Sequence, residues 1–106
     1  MDPKDRVDFV ADFKALLTGN EKIAAASLTL GAESVALGLT LIQNPPHGPN
    51  IINGVGIEAW FQVNAGLQAN AAFDVGATLP IEATILTDAV PPRTFQRTLV
   101  ITVKQL

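Results

Sequence analysis

The sequence has no cysteine and only one histidine among its 106 residues. The absence of thiols excludes disulfide scaffolds, thiolate zinc sites and thiol catalysis. The histidine, His47, lies in the segment NPPHGP, whose other residues offer only an asparagine and backbone groups. A catalytic base or a metal ligand needs acids, a nucleophile or further ligands beside it. We therefore predict that the chain is not an enzyme and binds no metal or cofactor.

Charge is also scarce, since charged residues make up 16% of the chain and the net charge is −3. The seven Lys and Arg residues are spread from Lys4 to Lys104 and form no basic stripe, which a phosphate backbone would require. We expect no nucleic-acid partner. Such a weakly charged surface favours an assembly in which another protein covers it.

Long apolar runs are missing as well, and the longest is too short to cross a bilayer. The start of the chain, MDPKDRVDFVADFKALL, mixes Asp with cations and lacks the apolar stretch of a signal peptide. We expect no membrane association and no export by the secretory route.

The chain does contain repeated alternation of apolar and polar residues, which is typical of strands with one buried face. The pattern is clearest over residues 94–106, where only Arg97 and Val100 break it. Pro80 fits an edge strand or the first residues of a strand. Further strands are predicted over residues 21–30, 34–42, 57–64 and 79–88, with an irregular edge strand within residues 65–78 and a hairpin connection over residues 88–93.

The first segment, residues 2–18, fits two periodicities. Phe9, Phe13 and Leu16 have helical spacing, and Val7, Phe9 and Phe13 also have strand spacing. A strand over residues 6–13 followed by a helical turn over residues 14–17 satisfies both, and we predict this arrangement. About seven short strands with turn signals between them predict a single all-β domain over residues 1–106, an antiparallel β-sandwich.

Residues 43–56, QNPPHGPNIINGVG, contain three Pro and three Gly and are predicted to form a long loop without a regular ladder. Exposure of Ile51, Ile52 and Val55 on such a loop is unfavourable unless a partner covers them. The alternative is that they fold back as a lid over the domain's own core.

We predict a partner interface on three parts of the chain. The charged N-terminal arm is expected to be flexible over residues 1–5, the long loop supplies apolar groups, and the lone tryptophan falls on the polar side of its strand. The candidate interface residues are Asp2, Lys4, Arg6, His47, Ile51, Ile52, Val55 and Trp60.

Three segments lie near the two ends of the chain, the opening DPKDRVDF, the later GNEKI step and the closing RTFQRTLVITVK. They resemble the ends of the small phage fibre–tail adaptor proteins, and residues 79–87 look like the strand that pairs with the last one. The resemblance implies an immunoglobulin-like sandwich located in the tail or neck of a virion and made in the host cytoplasm. It also implies a homo-oligomeric ring whose partners are tail, neck or portal proteins and fibre proteins.

Two other functions compete with this one. A capsid decoration protein has a similar sandwich but is present in hundreds of copies on the shell, whereas a tail ring has about six to twelve. A carbohydrate-binding sandwich usually has several exposed aromatic residues, and this chain has one Trp, five Phe and no Tyr.

Overall fold

The computed structural model describes residues 1–43 and 48–106. Seven strands run through these residues, with two 3-10 turns at Lys14–Leu16 and Ala65–Leu67 and two short helices, α1 (Ala32–Ala36) and α2 (Ala72–Val75). The strands are β1 (Arg6–Asp12), β2 (Ile23–Leu30), β3 (Leu39–Ile42), β4 (Asn50–Ile52), β5 (Gly56–Val63), β6 (Ala77–Thr87) and β7 (Thr94–Val103).

The strands form two antiparallel sheets of four and three strands. In the first sheet β1 pairs along one edge of β5, while β3 and β4 share the other edge, at residues 60–63 and 56–58 respectively. In the second sheet β6 lies between β2 and β7. The predicted all-β antiparallel sandwich of about seven strands, with a helical turn near residues 14–17, is confirmed.

The core lies between the two central strands, β5 and β6. Their alternation places every second side chain in the sandwich, and these side chains are almost fully buried: Ile57, Ala59, Phe61 and Val63 on β5, and Leu79, Ile81, Ala83 and Ile85 on β6. The buried residues divide into one cluster around Phe61 and Phe73 and another around Phe13 and Ile85. Leu28 and Leu99 pack against both clusters.

The predicted loop over residues 43–56 is wrong for its second half, because β4 forms there and pairs with β5. Asn53, Gly54 and Val55 connect the two strands, and the first two have positive φ, 53° and 71°. An Asn-Gly pair adopts this turn readily because neither residue pays the full steric cost of positive φ. The turn is held to the domain by two hydrogen bonds, from Phe13 N to the carbonyl of Val55 at 2.8 Å and from Ile23 N to that of Gly54 at 2.7 Å.

Two predicted strand segments are helical instead. Within residues 34–42 only β3 is a strand, because α1 precedes it and Gly38, with φ 88°, ends the helical turn. Ser34 fixes α1 to the second sheet, since its hydroxyl donates to the carbonyl of Pro80 at 2.7 Å. Residues 65–76 form a 3-10 turn and α2 instead of an edge strand, because the Asn70 side chain accepts a bond from Ala72 N at 2.9 Å and Phe73 is buried.

Pro80 is tolerated in β6 although β6 is the central strand of its sheet. Its carbonyl accepts a bond from Gly31 N at 3.1 Å, just beyond the end of β2. The N and the carbonyl of one strand residue point to the same side, so the donor that proline lacks falls where the β2 ladder has already ended.

Candidate binding surface

One lateral side of the sandwich is open. The edge strands β1 and β7 belong to different sheets and both line this side, which we call the open side. On the opposite side β2 contacts both β3 and β4. A groove is present there too, between β2 and β3, but its lining includes the polar side chains of Thr29, Thr40, Gln43 and Asn64.

An apolar cleft of about 420 Å³ enters the molecule at the open side. Its walls are residues 9–11 of β1 and residues 98–101 of β7, and Leu28, Ala59 and Ile81 line its interior. Its lining includes residues of both core clusters, Ala59, Phe61, Ile81 and Ile101 from the first and Ile57 from the second. Phe9 stands at the entrance, 42% exposed, with its ring 6.2 Å from that of buried Phe61.

The N-terminal arm closes one end of the open side. Met1 N donates to the carbonyl of Thr102 at 2.8 Å, and Lys104 N donates to the carbonyl of Met1 at 2.8 Å. The side chain of Asp2 accepts a bond from Leu106 N at 2.9 Å, and this bond, followed by the one from Lys4 N, lowers the pKa of the Asp2 carboxyl. The arm predicted to be flexible is therefore bound to the end of β7, because its backbone pairs with a free strand edge and its acid accepts backbone donors.

A polar cluster closes the other end. The carboxylate of Glu21 accepts bonds from the Thr87 hydroxyl at 2.6 Å and from Arg93 Nε at 3.0 Å, and it forms an ion pair with the same guanidinium. Arg93 also donates to the carbonyl of Leu16 at 2.9 Å. The cluster joins the 3-10 turn after β1 to the residue before β7.

The Glu21 carboxyl is strongly biased towards its charged form. Hydrogen bonds from Arg93, then from Thr87, lower its pKa from 4.5 to about 2, against the opposing effect of desolvation. The carboxylate is paired and fully hydrogen-bonded, which is the condition under which a charge is stable inside a protein. Its role is structural.

The backbone of β7 has a free edge along most of its length. Thr87 N donates to the carbonyl of Arg93, so the backbone N–H and carbonyl groups of odd-numbered β7 residues point towards β6. The carbonyl of Thr102 and the N–H of Lys104 point away from β6 and bond to Met1. Gln96, Thr98 and Val100 therefore direct their N–H and carbonyl groups outward. Among the described residues the only bond recorded there is from Arg97 Nη1 to the Gln96 carbonyl, at 2.8 Å.

Arg97 lies on the inner face of β7. It pairs with Ala83, a fully buried residue, and paired residues share a face. The guanidinium sits 5.6 Å from the centre of the Phe95 ring and has no carboxylate partner in residues 1–43 and 48–106. The guanidinium therefore lies towards the start of β7, and the lining of the cleft begins at the next residue, Thr98.

The predicted interface residues are not brought together. Asp2, Lys4 and Arg6 lie at the start of β1, whereas Ile51, Ile52 and Val55 lie beside Asp12, at the far end of the same strand. The register from Arg6 to Asp12 separates the two groups by about 20 Å. The β4–β5 turn contacts Phe13 and Ile23 through backbone hydrogen bonds, and Ile51 is 39% exposed.

Trp60 and His47 are the two remaining residues of the predicted interface. Trp60 pairs with Asp8 and with Ile42, so it lies on the outer face of the first sheet, half-buried, as the alternation predicted. His47 lies outside the described residues.

The open side itself was missed, although two signals in the sequence pointed to it. Arg97 puts a charge at an inward position, and Val100 puts an apolar side chain, 61% exposed, at an outward one. Both are departures from the alternation of β7, and they mark the strand whose edge is free. Val10, 57% exposed on β1, is the corresponding residue on the other edge strand.

Within the described part of the chain, no three His, Cys, Asp or Glu side chains are placed to hold a metal ion. No described helix has the length and apolar character to cross a membrane. Comparisons with protein-family models, with curated proteins and with solved structures found no match to this chain.

Proposed function

We propose that the chain is a non-enzymatic structural protein of a phage virion, an adaptor that joins tail or neck components to fibres. The observation that supports an assembly role is the open side, where the uncovered edge of β7 borders an apolar cleft. Monomeric proteins usually cover or charge such edges, because a bare edge pairs with other chains. A neighbouring protein that covers the open side satisfies both the backbone groups and the apolar lining.

The location in the tail or neck comes from the resemblance of both chain ends to fibre–tail adaptors. These two ends are also in contact in the structure, since Met1 forms two hydrogen bonds with the last strand. Both resembling segments therefore lie at the open side.

Mass spectrometry of purified particles of the phage that encodes the chain tests this proposal. We expect the chain in the particles at about six to twelve copies, the range for a ring at the tail. Hundreds of copies would indicate a capsid decoration protein instead. Absence of the chain from washed particles would contradict a virion role altogether.

A further inference from the structure

We propose that the open side receives an extended strand from another protein, added to the free edge of β7. The strand carries an acidic residue facing Arg97 and, two positions away, a large apolar residue facing Leu99. This inference rests on the proposed assembly function and names the chemistry of the partner segment. Strand addition of this kind obtains affinity from main-chain hydrogen bonds and specificity from alternate side chains.

The edge of β7 already accepts an extended segment. Met1 donates to Thr102 and accepts from Lys104, which is one rung of strand pairing on the outward side of β7. The pairing stops there because the chain turns at residues 2–5 towards β1. The outward groups of Gln96, Thr98 and Val100 continue the same edge, where an incoming strand replaces the bond from Arg97 to the Gln96 carbonyl.

The edge of β7 suits a partner strand better than the edge of β1. On β1 the outward side chains include Arg6, Asp8 and Asp12, and charges on an edge strand oppose pairing with other chains. On β7 the outward side chains from Thr94 to Thr102 are uncharged. Thr and Val are also residues that fit a paired strand well.

The cleft sets the apolar position of the partner. Leu99 is half-buried beside it, and Phe9 and Leu28 line its walls. A volume of about 420 Å³ is well above the roughly 150 Å³ that holds a benzene ring in an engineered cavity. A large apolar side chain that faces Leu99 enters this space, and its burial supplies the hydrophobic part of the affinity.

Arg97 sets the charged position. Its side chain lies on the inner face, one position before the lining of the cleft, and its guanidinium contacts the Phe95 ring and donates to the Gln96 carbonyl. Residues facing each other across adjacent strands have Cβ atoms about 5 Å apart, and opposite charges at that distance attract. An acidic residue facing Arg97 is therefore preferred over a neutral one, and a basic residue is disfavoured.

The same arginine argues against a second copy of this chain as the occupant. Met1 covers the end of β7, so the free edge runs over residues 94–100, and Arg97 is its midpoint. A symmetric antiparallel pairing of two copies along that edge places Arg97 opposite Arg97. Like charges directly opposite each other destabilise a strand pair.

A random peptide library displayed on yeast and sorted with the purified full-length chain tests the proposal. We expect the enriched peptides to alternate apolar and polar residues, with an acidic residue two positions from a large apolar one. Arg97→Glu should select peptides with a basic residue in place of the acidic one. Peptides selected on the wild type should bind this variant with about tenfold lower affinity. Lys22→Glu, the same charge reversal on the opposite side of the sandwich next to Gly54, should change neither.

Amide hydrogen exchange of the complex locates the binding. Protection of the Gln96, Thr98 and Val100 amides by an enriched peptide supports the proposal. The proposal is overturned if no alternating peptide is enriched or if the protected amides lie only on another surface. It is also overturned if the chain alone self-associates in sedimentation equilibrium and protects these same amides in hydrogen exchange without any peptide.

The two proposals fail separately. If the chain is present in virions and Arg97→Glu assembles into them normally, the strand proposal fails and the virion role stands. If the chain is absent from virions but selects acidic alternating peptides, the virion role fails and the strand-binding edge stands.

Discussion

The central strands β5 and β6 and the edge strands β1 and β7 share the alternation of apolar and polar residues, but their side chains are buried to very different extents. On β5 and β6 nearly all inward residues are buried. On β1 no residue is fully buried, and on β7 only Ile101 and Val103 are. The same alternation therefore produces a core in one pair of strands and an apolar, accessible cleft in the other. Position in the sheet decides which result follows, because a central strand has a neighbour on both sides and an edge strand has one.

The largest test of this comparison uses two phenylalanines on adjacent strands. Phe61 is 3% exposed and Phe9 is 42% exposed, although their rings are in contact. Phe61→Ala should lower the free energy of unfolding by about 3–5 kcal/mol, as buried aromatic truncations do. Phe9→Ala should cost about 1 kcal/mol, because most of the transfer free energy of an exposed ring is never gained. Urea denaturation of both variants measures the difference, and equal losses would mean that β1 belongs to the core.

The second test concerns the polar cluster of Glu21, Thr87 and Arg93. Folding lowers the pKa of Glu21 from 4.5 to about 2, so the folded state favours the ionised carboxylate. Its contribution to stability is complete above pH 4.5 and is lost as the pH falls towards 2. Glu21→Gln should lower the melting temperature at pH 7 and flatten the loss of stability across this pH window.

Asp74→Asn is the matched control for Glu21→Gln, since Asp74 is exposed on α2 and lies outside the cluster. It should leave both the melting temperature and its pH dependence close to those of the wild type. If Glu21→Gln melts with the wild-type pH profile, the cluster does not supply the expected pH-dependent stability in solution.

The third test concerns the turn that fixes β4 to β5. Gly54 has φ 71°, and a Cβ there meets the Lys22 side chain, which is flexible at its far end. Gly54→Ala should lower the free energy of unfolding by about 1–2 kcal/mol, mainly from the left-handed backbone. Gly66→Ala is the control, because Gly66 has ordinary φ and open space around its Cβ position. A neutral Gly54→Ala would show that this turn contributes little to the central strand.

The smallest expected effect is at the exposed valines of the edge strands. Val10→Thr and Val100→Thr keep the β-branched shape and should change the free energy of unfolding by less than about 0.5 kcal/mol. The double variant should nevertheless be more soluble at high concentration, since it removes apolar side chains beside free edges. Thermal melts and light scattering measure the two properties. A large loss of stability would place these residues in the core and remove the contrast between edge and central strands.

Residue pattern was sufficient to predict most of the strands. The inward residues of β5, β6 and the end of β7, and the helical turn after β1, all follow from period-two alternation and local turn signals. Pattern failed at residues 34–37 and 65–76, where small residues fit both strand and helix. There the bond from Ser34 to Pro80 and the burial of Phe73 decided the conformation. The Asn-Gly turn at residues 53–54 was a local signal that the surrounding prolines obscured.

The sequence by itself determined that this chain builds strands with one apolar face, because alternation is a property of each segment alone. Only the tertiary structure decided which strands became edges, that the N-terminus binds the last strand, and that Arg97 lies on the inner face of an edge strand. These features depend on which distant segments pair, and a single strand's pattern is the same whether it has one neighbour or two.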